Sequence, residues 1–128
     1  MTPHFTVAEL ACKCGCGMLP EKSFMEKVET LRAVYGKPMR VASAARCPAH
    51  NDLVSSTGRN GPHTTGRAID IAVAGEDAHQ LLRVAMRFCS FTGIGVSQKG
   101  APREGRFLHF DDLPNAPGQP RPTLWSYP

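Results

Sequence analysis

The stretch "RAIDIAV", Arg67 to Val73, sets the tightest limit on the fold. Ala68, Asp70 and Ala72 alternate with Ile69, Ile71 and Val73, the period of a β-strand, so an acid stands inside an apolar strand. A bare carboxylate is costly to bury there and needs a partner, for which a cation is the natural choice. Two histidines are placed to join it: His63 in the loop "GPHTTG" just upstream, and His109 in a later strand, "RFLHFDD". Two imidazoles and one carboxylate make a three-ligand zinc set with the fourth position left to water, the catalytic rather than the structural arrangement. Zinc brings the pKa of such a water to about 7 and polarises a scissile carbonyl. Singly, each residue has a plainer account: a solvated loop histidine, an aspartate bonded to a backbone amide, a core histidine.

Around this strand, "PEKSFMEKVETLRAVYG" has the spacing of a helix and "MRVASA" the residue types of a short strand. "CPAHNDLVSSTG" reads as a short helix opened by Pro48, and "RNGPHTTG" as a loop. "GEDAHQLLRVAMRFC" is a second long helix with Leu81, Leu82, Ala85, Met86 and Cys89 toward the core, and "GIGVS" a further strand. From Leu113 the chain becomes a proline-rich, irregular tail pinned by Trp125 and Tyr127. Helices bracketing short strands without regular alternation predict an α+β fold, a small, mostly antiparallel sheet with flanking helices. No repeat or long linker divides the chain. One domain over 1–128 is expected, with 1–19 as a cysteine-containing lead-in and 113–128 as the tail.

Fifteen basic residues against eleven acidic ones give a net charge of +4, which suits an anionic partner. The cations are scattered and not interleaved with aromatics, which speaks against nucleic acid. No apolar run is long enough to span a bilayer, so no stable membrane insertion is expected. The start "MTPHFTVAEL" lacks the pattern of a signal peptide, so synthesis in the cytoplasm is expected, with any action elsewhere following release. Five cysteines in such a setting read as thiols or metal ligands rather than a disulfide framework. Cys12, Cys14 and Cys16 lack a fourth ligand within their stretch and stand closer than zinc-finger pairs, and Gly15 and Gly17 predict a turn that splays them. His4 and His79 read as solvated; His50 and Asn51 either line a cleft beside Arg46 or lie on a helix surface.

"SAARCPAHN", "HTTGRAID" and "RFLHFDD" together resemble the zinc D-alanyl-D-alanine carboxypeptidase family of wall peptidases, which shares its fold with the hedgehog signalling domain. The matching residues are Ser43 and Arg46; His63, Gly66, Ala68 and Asp70; and Phe107, His109 and Asp111, over half the chain. The ending "RPTLWSY" is similar to phage relatives. The resemblance implies that His63, Asp70 and His109 bind zinc, and that Arg46 and Ser43 bind the substrate, Arg46 holding a carboxylate or carbonyl of the peptide. That task suits a planar guanidinium fork.

Two departures stand out. Many relatives have Ser where this chain has Gly61, and several have an acidic general base where it has Arg106. The nearest acids are Glu104, in a loop able to fold over the site, and Asp111, on the same strand face as His109. Asp111 is preferred for a role in the site, as base or as a carboxylate that orients a ligand. The cysteine segment belongs to the family's lead-in and is expected to pack on the core or pair with Cys47, a structural metal being the alternative.

The implied function is a zinc peptidase of peptidoglycan stem peptides, a D-Ala-D-Ala carboxypeptidase or cross-link endopeptidase. A monomeric phage or prophage endolysin is expected. Two other readings stay open: a non-catalytic zinc-stabilised wall-peptide-binding module, and a thiolate-zinc protein built on Cys12, Cys14 and Cys16.

Overall fold

Two amphipathic helices decide the layering of the computed structural model, which describes residues 1–128. Helix α2 (Lys22–Tyr35) buries Phe24, Met25, Val28, Leu31 and Tyr35 and stops where Gly36, at φ 76°, takes the left-handed cap and donates to the Arg32 carbonyl. Helix α4 (Gly75–Phe88) buries Ala78, Leu81 and Ala85. Met86 was expected inward but is 66 % exposed, because it sits one residue round from that stripe. The short helices are α1 (Val7–Leu10), closed by a Thr6–Glu9 capping box, and α3 (Pro48–Val54), which starts at Pro48 and ends before the glycine expected to stop it.

Five strands, β1 (Arg40–Ser43), β2 (Ala68–Ala72), β3 (Gly93–Ser97), β4 (Phe107–Asp111) and β5 (Thr123–Ser126), form one sheet in the order β1-β2-β4-β3-β5. All neighbours are antiparallel except β3 and β5. Ile69 and Ile71 of β2, Leu108 and Phe110 of β4 and Ile94 of β3 join α2 and α4 in the hydrophobic core. The result is the expected α+β fold with a small, mostly antiparallel sheet. Two segments differ from expectation. Pro62–Thr65, in the presumed loop, is a 3-10 turn. The tail is not irregular throughout: the Thr123 amide donates to the Thr92 carbonyl (2.8 Å) and the Tyr127 amide to Val96 (3.2 Å), which seats β5 on the sheet edge. No helix is long and apolar enough to cross a membrane.

Just beyond β4, Asp112 accepts from Lys27 Nζ of α2 (2.8 Å) and from Arg67 Nε and Nη2 (2.9 and 2.6 Å) at the entry to β2. Burial works against its charge, but the two cations outweigh it and hold its carboxyl below the ordinary value. A carboxylate depressed in the folded state stabilises above its unfolded pKa, about 3.9, and that stabilisation is lost as pH falls through the folded value. Asp112→Asn is expected to cost about 1–3 kcal/mol at neutral pH. In urea unfolding, its difference from wild type should shrink as the pH is lowered below about 4.

Candidate metal centre

The strand register builds the site. Ser43 pairs with Asp70, Asp70 with His109, His109 with Gly95 and Gly95 with Trp125, a single row running across all five strands. Ile69, Ile71, Leu108 and Phe110 point into the helix-covered core, so by alternation Asp70 and His109 project from the opposite face. Two glycines of β3 make room there. A Cβ at Gly95 would stand 2.7 Å from Trp125 Nε1 and 2.8 Å from a Tyr127 ring carbon, and one at Gly93 would meet the Asp111 carboxylate.

His63 reaches the row from the 3-10 turn. Its Nε2 lies 3.2 Å from Asp70 Oδ1, and His109 Nδ1 lies 2.9 Å from the same oxygen. These ligand atoms are all within 4.8 Å of one another. Tetrahedral zinc with bonds of roughly 2.0–2.1 Å sets its ligands about 3.3 Å apart, so the donor set fits the ion. The ring orientations fit as well. His63 Nδ1 donates to the Ala44 carbonyl (2.7 Å), which leaves Nε2 as the free lone pair. His109 Nε2 donates to Asp111 Oδ2 (2.8 Å), which frees Nδ1.

Asp111 is held in turn by Arg121 Nε and Nη2, each at 2.9 Å, and by the Leu113 amide at 3.3 Å. Burial disfavours every charge here, yet the partners win. His109 and His63 keep Asp70 well below the usual carboxylate range. His109 and Arg121 bring Asp111 down to about 2. Asp111 and Asp70 raise His109.

A cleft of about 380 Å³ opens on His63, Asp70 and His109, with Arg46, Trp125 and Tyr127 on its walls. Arg46 donates through Nε to Ser43 Oγ (2.9 Å) and through Nη1 to Asn51 Oδ1 (3.0 Å), and its Nη2 stands 3.5 Å from Asp70 Oδ2. Ser43 therefore orients the arginine. Asn51 is buried and donates onward to Thr57 Oγ1 (2.9 Å) and the Gly58 carbonyl. That network explains Gly61: a Cβ there would collide with the Thr57 hydroxyl. The Ala44 carbonyl supplies His63 with its orienting bond, with no serine at position 61. Across the cleft, the Trp125 ring lies 5.1 Å from the His109 ring, with the Arg121 guanidinium 5.2 Å from its centroid.

The structure thus brings Ser43, Arg46, His63, Asp70 and His109 to one place. Asp111 lies behind His109, fully buried and off the cleft wall. Glu104 does not fold over the site: it sits exposed in the 3-10 turn Arg103–Gly105 and lines a separate depression with Arg40 and Arg106. Arg106 itself turns to the Gly100 carbonyl. The sequence reading gives Arg121 no role and makes Trp125 and Tyr127 tail anchors only, whereas the structure places all three at or behind the cleft. The period-two spacing of Thr123, Trp125 and Tyr127 is the signal that could have shown an edge strand presenting them to one face.

The sequence profile of the Peptidase M15 family matches residues 3–111. A search of curated proteins finds no match to the chain.

Proposed function

The chain belongs to the Peptidase M15 family, and from that premise we propose that it is a zinc-dependent peptidase of peptidoglycan stem peptides, acting as an endolysin at the bacterial wall. The observation that carries this reading is the convergence of His63 Nε2, Asp70 Oδ1 and His109 Nδ1 on an open cleft beside an oriented arginine. Zinc held by these three supplies a Lewis acid for a peptide carbonyl and lowers the pKa of water. The chain's own residues bind and aim the substrate. Arg46, fixed by Ser43 and Asn51, presents its remaining N–H donors to a substrate carboxylate or carbonyl. Trp125 and Tyr127 form an apolar wall that limits water around the bound peptide. The positive net charge favours approach to an anionic envelope, where the protein acts once released from the cytoplasm.

Purified peptidoglycan and a stem pentapeptide ending in D-Ala-D-Ala, each incubated with zinc-loaded protein, test the proposal. Release of D-alanine from the pentapeptide marks a carboxypeptidase, and cleavage confined to cross-linked dimers marks an endopeptidase. A second reading, a non-catalytic wall-peptide-binding module, is favoured by one observation: Asp70 is the only carboxylate lining the cleft. Retention of wall peptide by zinc-loaded protein with no product from either substrate would establish it.

Arg46→Lys is expected to lower kcat/KM by about 10–100-fold, the worth of one charge-assisted contact. Most of the loss should fall on KM, with metal content unchanged, because lysine keeps the charge but not the fork that Ser43 and Asn51 hold.

A further inference from the structure

We propose that Cys12, Cys14, Cys16 and Cys47 form a second metal site, a closed four-thiolate zinc centre that fastens the N-terminal lead-in to the start of α3. Their sulfurs all lie within 4.8 Å of one another. Cys12 and Cys14 are 3.4 Å apart, and Cys14 and Cys47 3.6 Å. Tetrahedral zinc with bonds of about 2.3 Å spaces its sulfurs about 3.8 Å apart, so the cluster matches a zinc cage.

The glycines expected to splay the thiols gather them. Gly15 and Gly17 both adopt left-handed backbone, at φ 85° and 87°, which folds the segment back on itself. Gly15 N–H donates to the Cys12 carbonyl (3.2 Å) and Cys12 N–H to the Met18 carbonyl (2.9 Å), closing the loop. Cys47, far along the chain, completes the set the short segment lacked.

Backbone amides also aim at the sulfurs: Cys47 N–H at Cys12 Sγ (3.3 Å) and His50 N–H at Cys47 Sγ (3.4 Å). Amide donation favours thiolate over thiol and is how metal-bound sulfurs are satisfied. Four soft ligands leave no position for water, which makes the site structural.

Its consequence reaches the cleft. Cys47 is the N-cap of α3 and follows Arg46 directly, and Asn51 of the same helix orients Arg46. An ion on Cys47 therefore fixes one wall of the cleft without sharing a ligand with His63, Asp70 and His109. Because the ligands differ, the two sites can fail separately.

The test is metal analysis and cobalt substitution of the full chain purified under reducing conditions. His63→Ala is expected to retain zinc, and its cobalt form to keep the near-ultraviolet thiolate-to-cobalt absorption. Cys14→Ser is expected to lose one zinc and that absorption, while Cys89→Ser, outside the cluster, keeps both. If Cys14→Ser does not fold, the wild-type cobalt spectrum and the zinc released from wild type by a mercurial thiol reagent decide instead. A His63→Ala protein free of zinc, a cobalt form without thiolate absorption, an intact mass showing disulfides in metal-loaded protein, or iron in place of zinc would each overturn the assignment.

Discussion

His63→Ala is expected to empty the cleft of zinc and to slow peptidoglycan hydrolysis by about a thousandfold or more, since a Lewis acid contributes several kcal/mol at about 1.4 kcal/mol per tenfold. The substitution removes one of only three protein donors. Asp70 and His109 would remain, already 2.9 Å apart, with Arg46 as a competing partner for the carboxylate. His63 is the informative ligand to remove because it comes from a 3-10 turn rather than from the sheet, and its other bond goes to the Ala44 carbonyl alone. His109→Ala is a poorer choice, since it would strip a buried partner from both Asp70 and Asp111. Mass spectrometry of released fragments reads the activity, elemental analysis against wild type reads the metal, and circular dichroism checks the fold. Zinc content and turnover both equal to wild type would sink the reading of the cleft.

The two long helices and strand β2 were legible because each carries its own hydrophobic period, β1 because of its strand-type residues, and Asp70 because it violates the pattern of β2. β5 was not. It is a short edge strand among prolines whose Leu124 faces solvent, and its seat depends on what β3 lacks: a side chain at Gly95, where a Cβ would meet Trp125 and Tyr127. A missing side chain leaves no hydrophobic pattern to read. The roles of the two acids were equally out of reach. Sequence spacing places Asp111 on the face of His109, but not that Arg121, ten residues on, would bury and neutralise it there. Glu104 was a candidate only through chain proximity, and its turn directs it to another depression. The cysteine cluster shows the same limit, because its fourth member stands 35 residues from Cys12.

The position of Asp111 carries the second large expected effect and decides between two roles for it. Its oxygens serve His109 Nε2 and both prongs of Arg121, all inside the protein, with the Arg121 side chain only 6 % exposed. Asp111→Asn leaves that guanidinium buried without its counter-charge, a loss expected to cost about 3–5 kcal/mol. It also turns an obligate acceptor into a group that can donate toward His109, so the ring no longer has to present Nδ1 as a lone pair. Metal affinity should then fall by about 10–100-fold, the usual effect of removing the partner of a ligating histidine. Chemical unfolding and a zinc competition titration measure the two effects. A general base behaves differently: its amide variant would bind zinc and unfold like wild type while kcat collapsed. If Asp111 is a positioning carboxylate, excess zinc should restore most of the lost kcat, and Asp111→Asn combined with Arg121→Met should be less unstable than the separate losses predict, because the buried cation is gone. Failure of zinc to restore turnover in a stable, metal-loaded Asp111→Asn protein would place the base at Asp111 after all, behind the ligand rather than in the cleft.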